Sequence, residues 1–229
     1  MRDGTVRAQV TDSRPARLLL LRHGQTTWNV QERLAGLRDD VLTVKGQEQA
    51  KALGRWLATQ PPPDVFYVSG LRRTHETARF IQEQLSRVVD VRVDPHLNEI
   101  HFGEAEGLSI AEVLQRFPYL SPFLRSVEAD HPDWSWPGGE SRVAYYERVI
   151  TRIQDLLNRH QGQTVVLVTH GGVINGFLTW WQRGLLGYTE HFTIPNCSIT
   201  EIVTHGNGLS VVRIAETPWS LTTASSGTE

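Results

Sequence analysis

Three apolar runs in this chain each end abruptly on charged or small polar residues, and that pattern limits the fold more than any other feature of the 229 residues. The four leucines at 18–21 run into Arg22-His23-Gly24. Val65-Phe66-Tyr67-Val68 runs into Ser69-Gly70-Leu71-Arg72-Arg73, and Val165-Val166-Leu167-Val168 runs into Thr169-His170-Gly171-Gly172. Short runs that are apolar without alternation read as strands buried on both faces, the condition of a parallel sheet covered by helices. In open α/β sheets, ligands bind beyond the carboxyl ends of the strands. The three runs therefore carry two histidines and several arginines to one edge. Imidazoles and guanidiniums gathered there suit an anion, phosphate above all.

Between these runs the sequence alternates strand and helix signals, which predicts an α/β fold: a three-layer sandwich with a mostly parallel mixed sheet, helices on both faces and the final strand antiparallel. A helix over 45–59 places Ala50, Leu53, Trp56 and Leu57 on one face, and three prolines at 61–63 stop it. Further helices are expected over 70–85 and 172–184, and short strands at 17–21, 64–68, 91–93 and 164–168. Ser109-Ile110-Ala111-Glu112 is a capping-box signature for a helix over 110–117. Tyr146, Val149, Ile150, Ile153, Leu156 and Leu157 mark an amphipathic helix over 141–159. Two last strands, 198–204 and 209–214, flank Asn207-Gly208, a hairpin-turn signal. Residues 1–15 and 217–229 read as flexible tails on a single domain at 16–216. Within it, about 101–140 forms a cap-like insertion, where Tyr119, Phe123, Trp134 and Trp136 line a pocket or, as aromatic clusters more often do, form a small core of their own.

Composition narrows the function class. A formal net charge of -2 argues against nucleic acid or a membrane surface as partner, so any positive potential is local. The single cysteine, Cys197, excludes an intramolecular disulfide and a thiolate metal cluster and suits a reducing cytoplasm. No apolar stretch approaches the ~20 residues of a membrane span. The chain reads as a soluble cytoplasmic protein.

A phosphate monoester is inert unless a site neutralises its oxygens, holds a nucleophile in line and protonates the departing alkoxide. His23 is the candidate nucleophile, because a neutral imidazole has a free lone pair near neutral pH once its other nitrogen is pinned. Gly24 lets the backbone come close enough to pin the ring and admit the ligand. Arg22 and Arg73 are candidate phosphate clamps, with Arg73 in the first turn of its helix, where N–H groups also favour an anion. Arg72 is turned about 100° away from it on the helix. His170 is placed to donate to a phosphoryl oxygen, helped by the backbone N–H groups of Gly171 and Gly172. Glu99 is the candidate acid, with Glu104 and Glu106 competing. An ordinary Glu ionises near ~4.3, so it needs the phosphate dianion beside it to carry a proton at neutral pH. Taken singly, each of these residues reads as readily as a packed histidine, a surface arginine or a solvated acidic loop.

Together the motifs resemble the histidine phosphatase superfamily, the phosphoglycerate-mutase-like proteins. Arg22-His23-Gly24-Gln25-Thr26-Thr27-Trp28-Asn29 is similar to its phosphohistidine motif, and Ser69-Gly70-Leu71-Arg72-Arg73-Thr74 to its arginine motif. The stretch from Leu97-Asn98-Glu99 through Glu106-Gly107 resembles its acid loop, Pro137-Gly138-Gly139-Glu140-Ser141 its segment before the long helix, and Thr169-His170-Gly171-Gly172 its second histidine motif. The resemblance runs in order over about 17–203. It implies a phosphohistidine on His23, no metal and no cofactor, with Asn29 as a phosphate contact and Glu99 as general acid.

The resemblance also implies a choice between phosphatase and mutase. The family's mutases carry Glu-Ser after Arg-His-Gly, a Tyr-Gly in the acid loop, and a long cap with paired arginines. Here Gln25-Thr26 and Phe102-Gly103 stand in the first two places, and the short segment before Pro137 holds only the isolated Arg116 and Arg125. These departures favour hydrolysis of a small phosphorylated metabolite. A cofactor-dependent phosphoglycerate mutase is the alternative. A non-catalytic phospho-ligand module and a metal hydrolase built on His96, Glu99 and His101 follow behind. The chain leaves open a homodimer.

Overall fold

The computed structural model describes residues 14–38, 40–125, 134–184, 192–206 and 208–224. Its centre is a six-stranded sheet of order β3-β2-β4-β1-β5-β6. The strands are β1 (Arg17–Arg22), β2 (Val65–Val68), β3 (Val91–Val93), β4 (Thr164–Thr169), β5 (Ile199–His205) and β6 (Gly208–Glu216). β3, β2, β4 and β1 are parallel. β5 opposes β1, and β6 opposes β5. The sandwich is therefore the expected one, with the reversal of direction entering at β5. Asn207 lies outside the described residues, but His205 pairs with Gly208 as a tight hairpin requires.

The apolar strands serve both faces at once. Leu18 and Leu20 of β1, with Val65, Tyr67, Val165 and Leu167, enter one core; Leu19 and Leu21, with Phe66, Val68, Val166 and Val168, enter the other. The first core is closed by α6 (Arg142–Arg159) and α7 (Gly171–Arg183), the second by α2 (Val44–Ala58) and α3 (Arg72–Gln82). Leu19 is fully buried, and truncating such a side chain to Ala costs about 2–5 kcal/mol.

Smaller elements complete the chain. α1 (Thr27–Val30) is one turn closed by a reciprocal Thr26–Asn29 capping box. α4 (Ile110–Arg116) starts on the expected box between Ser109 and Glu112, and α5 (Ser121–Arg125) follows it. α8 (Pro218–Ala224) forms where the sequence suggested a loose tail. Thr217 and Ser220 exchange hydrogen bonds at its start, and Leu221 packs against the core under α2. That local cap and a single apolar anchor are too short a pattern to register as a helix period. Of the aromatic insertion, 126–133 lies outside the described residues. Phe123 stacks on Trp134 at 5.4 Å between ring centroids, Trp136 lies 5.0 Å from Trp134, and both tryptophans are buried, so they pack as a core.

Candidate active site

Register alone brings the first motif residues together. Arg22 pairs with Thr169, and Val68 with Val168, so the loops after β1, β2 and β4 leave the sheet side by side. His23 N–H donates to Thr169 O at 3.0 Å, and Ser69 N–H to Val168 O at 3.2 Å. The rings of His23 and His170 end up 5.3 Å apart, centroid to centroid.

His23 is nearly fully buried and pinned as expected: Nδ1 lies 2.8 Å from Gly24 O, which can only accept, so Nδ1 carries the proton. That leaves the Nε2 lone pair with no hydrogen-bond partner among the described residues. Burial, then the positive charges of Arg73 and Arg22, hold this imidazole well below the ordinary histidine range, so it is neutral. Gly24 has a further function. A Cβ there would sit 2.5 Å from Gly46 O, so the missing side chain admits the N-terminal backbone of α2 rather than a ligand.

Arg73 is 1 % exposed, held by Gly36 O at 2.7 Å and Arg38 O at 3.0 Å. Its Nε donates to His170 Nδ1 at 3.3 Å. Arg72 points away into an i,i+4 pair with Glu76. Arg22 donates from Nη1 to Ile194 O, while its buried Nε has no partner among the described residues. Glu99 lies near enough to raise the Arg22 pKa, but burial outweighs it and lowers the value. Gly171 opens α7 against Arg22, where a Cβ would come to 3.4 Å of Arg22 Nε. As a first-turn residue, Gly171 has no intrahelical acceptor for its N–H.

His170 is fully buried, and desolvation, followed by Arg73, keeps it neutral as well. Its Nε2 lies 2.7 Å from Ser69 Oγ. With Nδ1 accepting from Arg73, Nε2 carries the proton, so in this arrangement His170 is not yet the donor that its sequence position suggested. Ser69 is a residue that the motif contained without its role being visible: its hydroxyl can accept from one tautomer of His170 and donate to the other.

Glu99 comes to the same edge. Its carboxylate accepts from Gly172 N at 3.1 Å, Ile100 N at 3.0 Å and the Tyr145 hydroxyl at 2.7 Å. Tyr145 was missed; its signal was position four before Val149 on the buried stripe of α6. The two competing carboxylates go elsewhere. Glu104 is exposed and pairs with Arg116. Glu106 is buried and accepts from Leu37 N–H at 2.9 Å, clamping the loop whose carbonyls hold Arg73. His96, Glu99 and His101 make no metal site, since no group of three or more His, Cys, Asp or Glu suited to a metal occurs among the described residues.

Asn29 joins the cluster through α1. Its Oδ1 accepts from Thr26 N–H at 3.1 Å and from Asn196 Nδ2 at 3.0 Å. No helix among the described residues is long and apolar enough to cross a membrane.

The chain is similar in sequence and in fold to known proteins. The sequence profile of the histidine phosphatase superfamily (branch 1) matches residues 18–217. Phosphoserine phosphatase 1 of Hydrogenobacter thermophilus is 36% identical over 154 residues, 67% of this chain and 70% of that protein. The probable phosphoglycerate mutase GpmB of Enterobacter sp. (strain 638) is 32% identical over 80% of this chain and 82% of its own. Among solved structures, a mycobacterial glucosyl-3-phosphoglycerate phosphatase in complex with VO3 superposes with a TM-score of 0.75 at 30% identity, covering 88% of this chain and 99% of that one.

Proposed function

The chain belongs to the histidine phosphatase superfamily, and on that premise we propose that it hydrolyses a small phosphomonoester through a phosphohistidine on His23, without a metal. The observation that carries this reading is the His23 ring, with one nitrogen pinned to Gly24 O, the other unpartnered, and the charges of the buried Arg73 and the half-buried Arg22 acting on it.

Two half-reactions follow from the roles. Nε2 of His23 attacks phosphorus as the ester P–O bond breaks, and Glu99 passes its proton to the departing oxygen. Water then attacks the phosphohistidine, the N–P bond breaks, and Glu99 takes a proton from that water, so the enzyme returns to its starting state. Arg22 Nε, Arg73, Asn29 Nδ2 and the Gly171 N–H neutralise the phosphoryl oxygens. His170 joins them when Arg73 Nε turns from Nδ1 to a phosphoryl oxygen and Ser69 donates to Nε2, so that Nδ1 carries the proton and offers it to the ligand. A cytoplasmic setting fits the single cysteine.

Relatives named as phosphatases and as mutases both match. Hydrolysis is favoured by Gln25-Thr26 and Phe102-Gly103, the departures from the mutase pattern. A phosphomonoester panel scored by kcat/KM, with phosphoserine and glucosyl-3-phosphoglycerate included, tests the reading beside a bisphosphoglycerate-stimulated mutase assay. Hydrolysis that is lost in His23→Ala and indifferent to chelator supports it. Faster phosphoglycerate interconversion than hydrolysis would replace it with the mutase.

A further inference from the structure

We propose that Asn196 is a positioning residue for this reaction: it fixes the Asn29 amide with its nitrogen toward the phosphate and ties that amide to the backbone of the nucleophile. The inference rests on the reading of Asn29 as a phosphate contact.

One atom makes both connections. Nδ2 of Asn196 donates to Asn29 Oδ1 at 3.0 Å and to the carbonyl of His23 at 3.0 Å. A free amide can present either end to a ligand, and an oxygen turned toward a phosphate dianion would repel it. Here the oxygen of Asn29 is occupied by two donors, Asn196 Nδ2 and Thr26 N–H, so the NH₂ end is left for the ligand. No hydrogen-bond partner for that NH₂ occurs among the described residues.

The turn that carries Asn196 is itself fastened to β1. Cys197 N–H donates to Arg22 O at 3.1 Å and to His23 O at 3.3 Å, and Arg22 N–H donates to Ser198 O at 3.1 Å. Cys197 sits at φ 57, in the left-handed region, which turns the chain back beneath the nucleophile. Ile194 O, two residues before Asn196, accepts from the Arg22 guanidinium. One turn of five residues thus touches Arg22, His23 and Asn29, three of the residues assigned to the phosphoryl group. Asn196 does its work through Asn29, which a double-mutant cycle detects.

The experiment measures competitive inhibition by orthovanadate and by inorganic phosphate in the full chain, its Asn29→Ala and Asn196→Ala variants, and the double variant. Asn196→Ala is expected to raise Ki about tenfold when Asn29 is present and less than about twofold when Asn29 is already Ala. Equal losses in the two backgrounds overturn the proposal, whatever happens to Tm. Should Asn196→Ala not fold, Asn196→Asp keeps the volume and replaces the donor with an acceptor; its charge acts in both backgrounds, so only orientation appears as coupling to Asn29. An unchanged Ki in Asn29→Ala removes Asn29 from the phosphate site and the proposal with it, leaving the histidines and arginines untouched. Failure of both anions to compete in the unaltered protein would instead bring down the phosphate reading itself.

Discussion

Tyr145 donates its hydroxyl to Oε1 of Glu99 at 2.7 Å, and the hydroxyl is held as a donor. Burial, the Glu99 charge and that hydrogen bond push its ionisation well above the ordinary tyrosine value, so it keeps its proton at any working pH. The carboxyl proposed to protonate the leaving group is thereby oriented from the long helix α6. Tyr145→Phe is expected to lower kcat/KM for alkyl phosphates about fivefold, as loss of one net hydrogen bond allows. Aryl phosphates, whose leaving groups need little protonation, should barely change. An equal loss on both substrates would assign Tyr145 to packing alone.

Gly172 tests the same carboxyl from the other side. A Cβ at this position would press on Glu99 Oε1 and reach 3.0 Å from the Tyr145 hydroxyl. Ala is the better residue in a helix interior by roughly 1 kcal/mol, and at the second position of α7 a part of that gain offsets the crowding. Gly172→Ala should therefore leave Tm unchanged or slightly higher while kcat/KM for alkyl phosphates falls about tenfold, because Glu99 has to move. A drop in Tm that matched the drop in activity would count against a specific effect on the acid.

What could be read in the sequence followed from short-range rules. Strand ends, the Ser109–Glu112 box and the α6 stripe are local patterns, and once the parallel register is granted they place Arg22, His23, Arg73 and His170 on one edge. The residues that were missed act across long sequence separations. Asn196 meets His23 from 173 positions away, and its neighbours Pro195 and Cys197 give no hint of an amide needed there. Ser69 was visible only as part of a motif, because its partner His170 lies 101 residues on. Glu106 looked like one more acid in an acidic loop. Its burial and its grip on Leu37 depend on loop packing that no period encodes.

Glu106 should matter to binding rather than to protonation. Its carboxylate holds Leu37 N–H and lies 3.6 Å from Arg38 Nε, while the carbonyls on either side, Gly36 O and Arg38 O, hold Arg73. Glu106→Ala leaves that backbone N–H without its acceptor and lets the loop drift. The expected result is a rise in KM and in phosphate Ki of about fivefold to tenfold. The ratio of alkyl to aryl activity should stay constant. A shift in that ratio would return Glu106 to contention as the acid.

The two histidines couple folding to pH. Both His23 and His170 are held well below the ordinary value of 6.5, by burial first and by Arg73 next. The unfolded chain takes up these protons near pH 6.5, while the folded chain refuses them until well below that. Stability rises with pH wherever the unfolded state binds more protons, so this contribution is complete above about pH 6.5 and is lost as pH falls toward the folded values. Urea unfolding between about pH 6.5 and 5 should show ΔG falling by as much as ~1.4 kcal/mol per pH unit for each ring. His23→Asn and His170→Asn should each flatten that slope by about one proton. Since His23 is unprotonated across the same window, its lone pair stays available for the proposed attack on phosphorus, and kcat/KM should show no loss from its protonation until lower pH. A slope unchanged in either variant would mean that the ring takes its proton in the folded state, against the burial and the neighbouring guanidinium charges that hold it neutral.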